Sequence, residues 1–407
     1  MTSNKSAKPG RPKLPDARYA FVLVLFCSLC FAGDGWAKEL RRSMSFIRPW
    51  LMGDAYVAVA DESSMLFYNP AGLAGLGEPS AEVFNFQLNG DERVKTALLD
   101  PDNVQSEFQN VDQTEFRSRL GETFFVNFNM RLPIIVRPES GIAYGLGIEF
   151  RTFLEILGNP ILPSLRLELV LDRVMFFSKS FKVTENFLLG FTTKAITRIG
   201  IDKTLTFGEL FAAGTGTVSL DNDPAFNDLQ NGRTFTALGL DLGLLYHLPL
   251  WKDWDPRVGL SALNIGGGDA ENFLRGMEFG PRPDPFSPPQ AGELPQINTI
   301  GFAVSPIVAN IRFTMAFDVV DYSRTVLPGE NWKKRSRLGF EMGIGPKKDG
   351  TALFSVLAGL NANHFSAGIL SRVWIFEIGF GNYTVELGDK SGDNPDKRFL
   401  FFFGVRI

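Results

Sequence analysis

The sequence predicts an all-β fold, a transmembrane antiparallel β-barrel of about 14 strands preceded by a distinct N-terminal element. Three observations predict it. Large apolar residues alternate strictly with glycine or charged ones, the alternating segments run for about ten residues, and no stretch after the first 37 positions approaches the roughly 18 consecutive apolar residues of a membrane helix. Composition agrees: 38 Phe and 41 Gly stand among 407 residues, and 44% apolar content coexists with a mean hydropathy of +0.01. Apolar and polar residues must therefore be finely interleaved.

Residues 1–37 have the pattern of a secretory signal. Lys5, Lys8, Arg11, Lys13 and Arg18 make a basic start, Tyr19 to Gly33 is a mostly apolar run, and Gly35-Trp36-Ala37 supplies small residues for cleavage. An uncleaved anchor is the alternative, but the run is shorter than the roughly 20 residues that span a bilayer. Both cysteines, Cys27 and Cys30, lie inside it, preceded by Phe26 and Leu29 where a lipoprotein would need a small residue. Cleavage after Ala37 leaves no cysteine, which excludes disulfides, thiolate metal sites and cysteine nucleophiles; no cofactor is expected. Removing five basic and two acidic residues leaves 36 against 43, a formal charge of −7. That balance gives no reason to expect a nucleic-acid partner.

The alternation is explicit from the first long segment onward. Phe124, Val126, Phe128, Met130 and Leu132 share one face with Asn127, Asn129 and Arg131 between them; Ile142, Tyr144, Leu146, Ile148 and Phe150 alternate with Gly145, Gly147, Glu149 and Arg151. Ile311, Phe313, Met315, Phe317 and Val319 flank Arg312, Thr314, Ala316 and Asp318, and Leu338, Phe340, Met342 and Ile344 enclose Gly339, Glu341 and Gly343. A soluble β-sandwich also alternates. Two features favour the barrel: one face is almost wholly large and apolar, as lipid requires, while the other mixes glycine with charge, as an enclosed lumen permits. The segments are also longer than the five or six residues usual in soluble sheets.

Fourteen strand candidates follow: 81–88, 123–133, 142–152, 165–181, 187–199, 234–248, 256–265, 297–306, 310–321, 336–345, 352–362, 365–371, 373–384 and 397–407. The even number suits a single-chain bacterial barrel. Connections 91–122, 202–233 and 266–296 are the long loops. The first carries apolar residues at helical spacing and predicts a short amphipathic helix; the third, with Pro281, Pro283, Pro285, Pro288 and Pro289, predicts an irregular surface excursion. The last strand ends Phe399, Phe401, Phe403, Val405 and Ile407, and resembles the terminal strand by which outer-membrane barrels are recognised by the barrel-assembly machinery. Ile407 departs from the usual terminal aromatic.

Candidate lumen residues are Arg131, Glu149, Arg151, Asp241, Arg312, Asp318, Glu341 and Glu377, of mixed sign on the face opposite the apolar one. They either pair across strands or form a selective lining. After the signal the chain offers only His247 and His364, near predicted strand ends and outside any catalytic motif, so no enzyme is expected.

Residues 52–76, MGDAYVAVADESSMLFYNPAGLAGL, do not alternate. Asp61, Ser63 and Ser64 are candidate caps of a helical turn, Asn69-Pro70 starts a tight turn, and Gly72 offers a backbone angle that other residues avoid. Gly53, Ala55, Ala58, Ala60, Asp61 and the run Phe67-Tyr68-Asn69-Pro70-Ala71-Gly72-Leu73 resemble the N-terminal signature of the superfamily joining FadL-type fatty-acid transporters with PorV-type outer-membrane proteins. Leu360-Asn361, Tyr383, Glu386-Leu387-Gly388 and Asp396-Lys397-Arg398 resemble the closing hairpins of PorV-like barrels. The FadL resemblance implies a 14-stranded outer-membrane barrel of a Gram-negative-type bacterium whose N-terminal segment, residues 38–80, folds inward as a hatch. Asn69, Pro70, Ala71 and Gly72 would be hatch residues, residues 81–407 the barrel, and a hydrophobic small molecule the ligand. The PorV resemblance implies a partner-binding or secretion-associated role instead, with a protein partner at the extracellular loops. Outer-membrane lipids surround the barrel on either reading.

Overall fold

The computed structural model describes residues 44–99, 123–157, 164–206, 235–269, 296–323, 332–346, 352–387 and 395–407. Its frame is one antiparallel sheet of fourteen strands: β1 (Ser80–Asp91), β2 (Thr123–Arg137), β3 (Ile142–Leu157), β4 (Ser164–Thr184), β5 (Phe187–Thr206), β6 (Phe235–His247), β7 (Arg257–Asp269), β8 (Ile297–Val304), β9 (Ile311–Val320), β10 (Ser336–Pro346), β11 (Ala352–Asn361), β12 (His364–Val373), β13 (Phe376–Glu386) and β14 (Pro395–Arg406). A two-residue piece, Ile307–Val308, prolongs β8 alongside β9. Each strand pairs with its sequence neighbours, and β1 pairs with β14 from Glu82 opposite Arg406 to Asp91 opposite Arg398. The ring is closed. In hydrocarbon no water satisfies a free N–H or C=O, so a spanning sheet must end on itself.

All fourteen expected strands are present, with ends shifted by a few residues. β4 and β5 extend furthest, to Thr184 and Thr206. The two faces divide as the alternation requires. Arg312, Thr314, Ala316 and Asp318 are buried inward, while Phe317, Phe340, Ile378 and Phe380 stand outward at about 40–50% exposure. Pro133, which lacks an N–H, is absorbed by a bulge: the β2–β3 register shifts between Leu132 and Ile134.

The three longest connections, 92–122, 207–234 and 270–296, leave from one end of the barrel. Short turns, Ser80 and Ile407 share the other, which is the periplasmic pattern. The first long connection opens with a helix, α2 (Glu92–Leu99), whose first turn is capped by Asp91 Oδ1 accepting from Val94 N at 3.0 Å. Ahead of the sheet, residues 44–79 contain α1 (Ile47–Leu51) and two 3₁₀ turns, Ser63–Phe67 and Pro70–Gly75. The expected signal with Cys27 and Cys30, residues 38–43, and most of the three long loops lie outside the described residues.

A charge on the outward face should be costly in a bilayer. Phe317→Arg is expected to destabilise the folded barrel by about 2–4 kcal/mol in vesicle unfolding titrations, and unchanged stability would contradict the assignment of that face to lipid.

Candidate functional site

Fourteen strands enclose a space wider than inward side chains fill, and residues 44–76 occupy it. From Met44 to Leu73 the segment is buried almost throughout. It is irregular, so its backbone polar groups need partners outside itself.

The wall meets it in two ways. Where backbone passes close to the sheet, the wall residue is glycine. A methyl at Gly190 would fall 2.6 Å from Ala71 N, and one at Gly243 2.8 Å from Pro70 Cδ. Gly359 likewise leaves room for Gly53, and Gly259 for Val57. Where the segment presents a free polar group, the wall supplies its complement. Asp318 accepts from Tyr56 N at 2.7 Å and Val57 N at 2.9 Å. Ser366 Oγ accepts from Gly53 N and donates to Leu51 O. Arg257 donates to Val59 O at 2.9 Å, and Arg131 to Ser45 O at 2.9 Å.

Asn69 joins both modes. Its Nδ2 donates to Val57 O at 2.8 Å and to Leu244 O of β6 at 2.9 Å, while Oδ1 accepts from Ala71 N and caps the Pro70–Gly75 turn with Pro70 at its first position. Pro70 and Ala71 lie against Gly190 and Gly243. Gly72 departs from expectation, because its φ is not positive. Its lack of a side chain instead lets the turn press on Ala60 O. Asp61, expected as a cap, is also differently used: the Ser63–Phe67 turn starts from Glu62 without a side-chain cap, and Asp61 binds arginine.

That arginine is Arg48, which has no exposed surface. Its Nε and Nη2 donate to Glu341 Oε2 at 3.0 and 2.6 Å, and its Nη1 donates to Asp61 Oδ1 at 2.5 Å and Tyr56 Oη at 3.0 Å. Asp61 lies 3.5 Å from Arg312 Nη1. Glu62 accepts from Arg372 at 2.7 Å, Arg372 donates to Glu377 at 2.5 Å, and Arg406 bridges Glu377 and Glu82. Burial pushes the Glu62 carboxyl up, against Arg48 and Arg372. Burial pushes Asp61 the same way, but Arg48 and then Arg312 outweigh it and hold that carboxyl at about 2.

All eight lumen candidates face inward and are buried. Arg131, Asp318 and Glu341 touch the inner segment directly, Arg312 reaches it through Asp61, and Glu377 through Arg372. The other three sit on a separate arc of wall. Glu149 accepts from Asn127 at 2.5 Å, Arg151 lies 3.2 Å from Glu168, and Asp241 pairs with Lys194 at 2.8 Å. Sequence reasoning missed Arg48, Tyr56, Glu62 and Arg372. Only the presence of Arg48 and Glu62 in a non-alternating, apolar stretch hinted at those two; Arg372 stands near the end of β12, and nothing local singled out it or Tyr56.

A cavity of about 490 Å³ at the short-turn end is lined in part by Asp61, His247, Asp255, Arg257, Ser305 and Arg312. His247 Nδ1 lies 2.9 Å from Asp255 Oδ1, but Ser305 Oγ bonds to Arg257 and Thr314 rather than to histidine. His364 pairs with Glu386 at 2.8 Å at the opposite end. No nucleophile, base and orienting acid converge on these histidines among the described residues.

No protein-family model and no curated protein matches the chain. Solved structures do. The chain is similar to the Ralstonia pickettii toluene transporter TbuX at 14% identity over 90% of this chain and 98% of that one, with a TM-score of 0.46. It is similar to the Pseudomonas putida toluene transporter TodX at 12% identity over 93% and 98%, TM-score 0.44, and to a Pseudomonas aeruginosa FadL homologue at 12% over 92% and 99%, TM-score 0.41. The likeness is one of fold.

Truncating Arg48 would leave Glu341 and Asp61 buried without their shared cation. Arg48→Met is expected to cost about 3–5 kcal/mol, read as loss of hydrogen-exchange protection over residues 44–76, and Glu341→Gln in the same chain should restore part of it. Acid should act on the same contacts. Since the folded Asp61 carboxyl titrates at about 2 against an ordinary 3.8, its stabilisation is present above about pH 4 and is lost as pH falls through 2. Protection of the segment should weaken over that window, less so in Asp61→Asn; equal pH dependence in both proteins would count against the Arg48–Asp61 pair.

Proposed function

We propose that the protein is an outer-membrane transporter that passes a hydrophobic, fatty-acid-like small molecule, with residues 38–80 as the hatch and no enzymatic activity. The observation that carries this reading is the unequal seating of the inner segment. At β2, where Arg131 and Asn129 donate to Ser45 O, at β5, where Thr192 donates to Leu66 O and Gly190 meets Ala71, and toward β6, β7 and β9–β13, it is held by glycine contact, hydrogen bonds and ion pairs. Toward β3 and β4 the contact is apolar: Met44 and Phe67 pack with Ala143, Val174 and Phe176, and the Phe67 ring sits 5.4 Å from Phe46 and 5.0 Å from Phe176.

An apolar ligand entering that seam replaces the contacts it breaks, because one apolar surface substitutes for another at little cost. A polar solute would pay for desolvation there without recovering a partner. The seam thus opens preferentially to oil-like molecules, while the polar side keeps the segment from leaving the barrel. Asn69, bonded on one side to Val57 O and on the other to Leu244 O, ties the far end of the segment to β6.

Uptake of a fluorescent long-chain fatty acid into vesicles tests the reading. The intact protein should exceed empty vesicles, Phe67→Arg should be slower by about tenfold, as a charge in the seam costs at least about 1.4 kcal/mol, and a chain lacking residues 38–80 should admit small polar solutes as well. If neither the intact nor the shortened protein outpaces empty vesicles, the transporter reading fails.

A further inference from the structure

On the inward face of β1, β2 and β3, three polar side chains form one cross-strand row. Gln87 stands opposite Asn129 and Asn129 opposite Glu149, and none is more than 5% exposed. The donors of the row are taken. Gln87 Nε2 donates to Ser45 Oγ and Asn89 Oδ1 at 3.2 and 3.3 Å, and Asn129 Nδ2 to Ser45 O and Oγ at 3.2 and 3.3 Å. Glu149 Oε1 is met by Asn127. The atoms left over are all acceptors: Gln87 Oε1, Asn129 Oδ1 and Glu149 Oε2 are shut off from water and receive no hydrogen bond among the described residues.

Buried oxygens without a donor are rare, and a carboxylate among them is the costliest. The next position along the row shows what satisfies one. Asp172 of β4, opposite Glu149, accepts from Arg198 on both oxygens at 2.7 Å. Other nearby cations are engaged elsewhere, Arg151 lying 3.2 Å from Glu168 and Arg131 donating to Ser45 O. Since water does not reach the three oxygens, the donor that answers them belongs to the chain itself.

The inner segment starts beside the row. Met44 lies against Gly147, where an added methyl would collide with its Cε. Gly147 and Glu149 are successive inward positions of β3, about 6.6 Å apart at about 3.3 Å per residue, with Glu149 nearer the long-loop end. Toward the short turns the space is filled, as Ala143, Val174 and Phe176 pack with Met44 and Phe67. Residues 38–43, Lys-Glu-Leu-Arg-Arg-Ser, lie outside the described residues. Two extended residues cover about 7 Å, so a chain leaving Met44 along β3 brings the side chain two positions earlier level with Glu149. That residue is Arg42.

We propose that Arg42 seats on the Gln87–Asn129–Glu149 row, its planar guanidinium donating to the three oxygens. Arg42 pins the start of the inner segment to β1–β3, beside its apolar contact with β3 and β4. The seat is independent of what, if anything, the lumen passes.

Hydrogen exchange of residues 38–46 tests it on the detergent-solubilised barrel, with heat-modifiable migration reporting closure. Arg42→Gln and Glu149→Gln should each speed exchange there about tenfold, the lower end of what a hydrogen bond to a charged group contributes. Combined, they should lose no more than either alone, and Arg41→Gln should lose nothing. Additive losses, or a loss in Arg41→Gln as large as in Arg42→Gln, would refute the seat. Equal exchange in wild type and Glu149→Gln would also refute it and leave the row to a cation from outside the chain. A second measurement keeps Glu149 intact. In a Cys27→Ser, Cys30→Ser background, a short bis-maleimide should join Arg42→Cys to Gln87→Cys and not to Ser261→Cys of β7. Joining to Ser261→Cys instead, or to neither, would overturn the proposal.

Discussion

Backbone amides that cannot stay unpaired in hydrocarbon govern this molecule. They force β1 onto β14, and closing fourteen strands creates a lumen that inward side chains alone cannot fill. The lumen's content follows from that deficit. Residues 44–76 enter it as irregular chain, bringing N–H and C=O groups that find no partner within the segment and must find one on the wall.

The wall is written to receive that chain. Glycines stand where backbone meets backbone, and Asp318, Ser366, Arg257 and Arg131 answer polar groups one by one. The charges then organise around Arg48. A fully buried guanidinium between Glu341 and Asp61 is weak as a source of net stability but strong as a device of register, because any displacement strands several charges at once. Apolar packing against β3 and β4 carries no such penalty for exchange. On the function proposed above, the segment is locked along most of the wall and exchangeable only against β3 and β4.

The strands were legible from sequence because pleating makes side chains alternate locally, whatever the distant chain does. Each of the fourteen candidates lies on a real strand, and inward orientation of Arg131, Asp241 or Glu377 could be read from its neighbours alone. Local turn chemistry was legible only in part. Asn69 caps as its type suggests, but Asp61 is taken by Arg48, and Gly72 serves close contact with Ala60 rather than an unusual backbone angle. In both cases a tertiary partner prevailed over a local preference.

By itself, then, the sequence determined an extended, two-faced chain of fourteen strands with a separate element ahead of it, since apolar periodicity and strand length depend on residues a few positions apart. Only tertiary structure decided what fills the ring and how. Arg48 and Glu341 are 293 residues apart in the chain, and no local pattern links them. Their meeting depends on ring closure, on the stagger between strands, and on the depth to which the leading segment descends, all of which are properties of the assembled sheet.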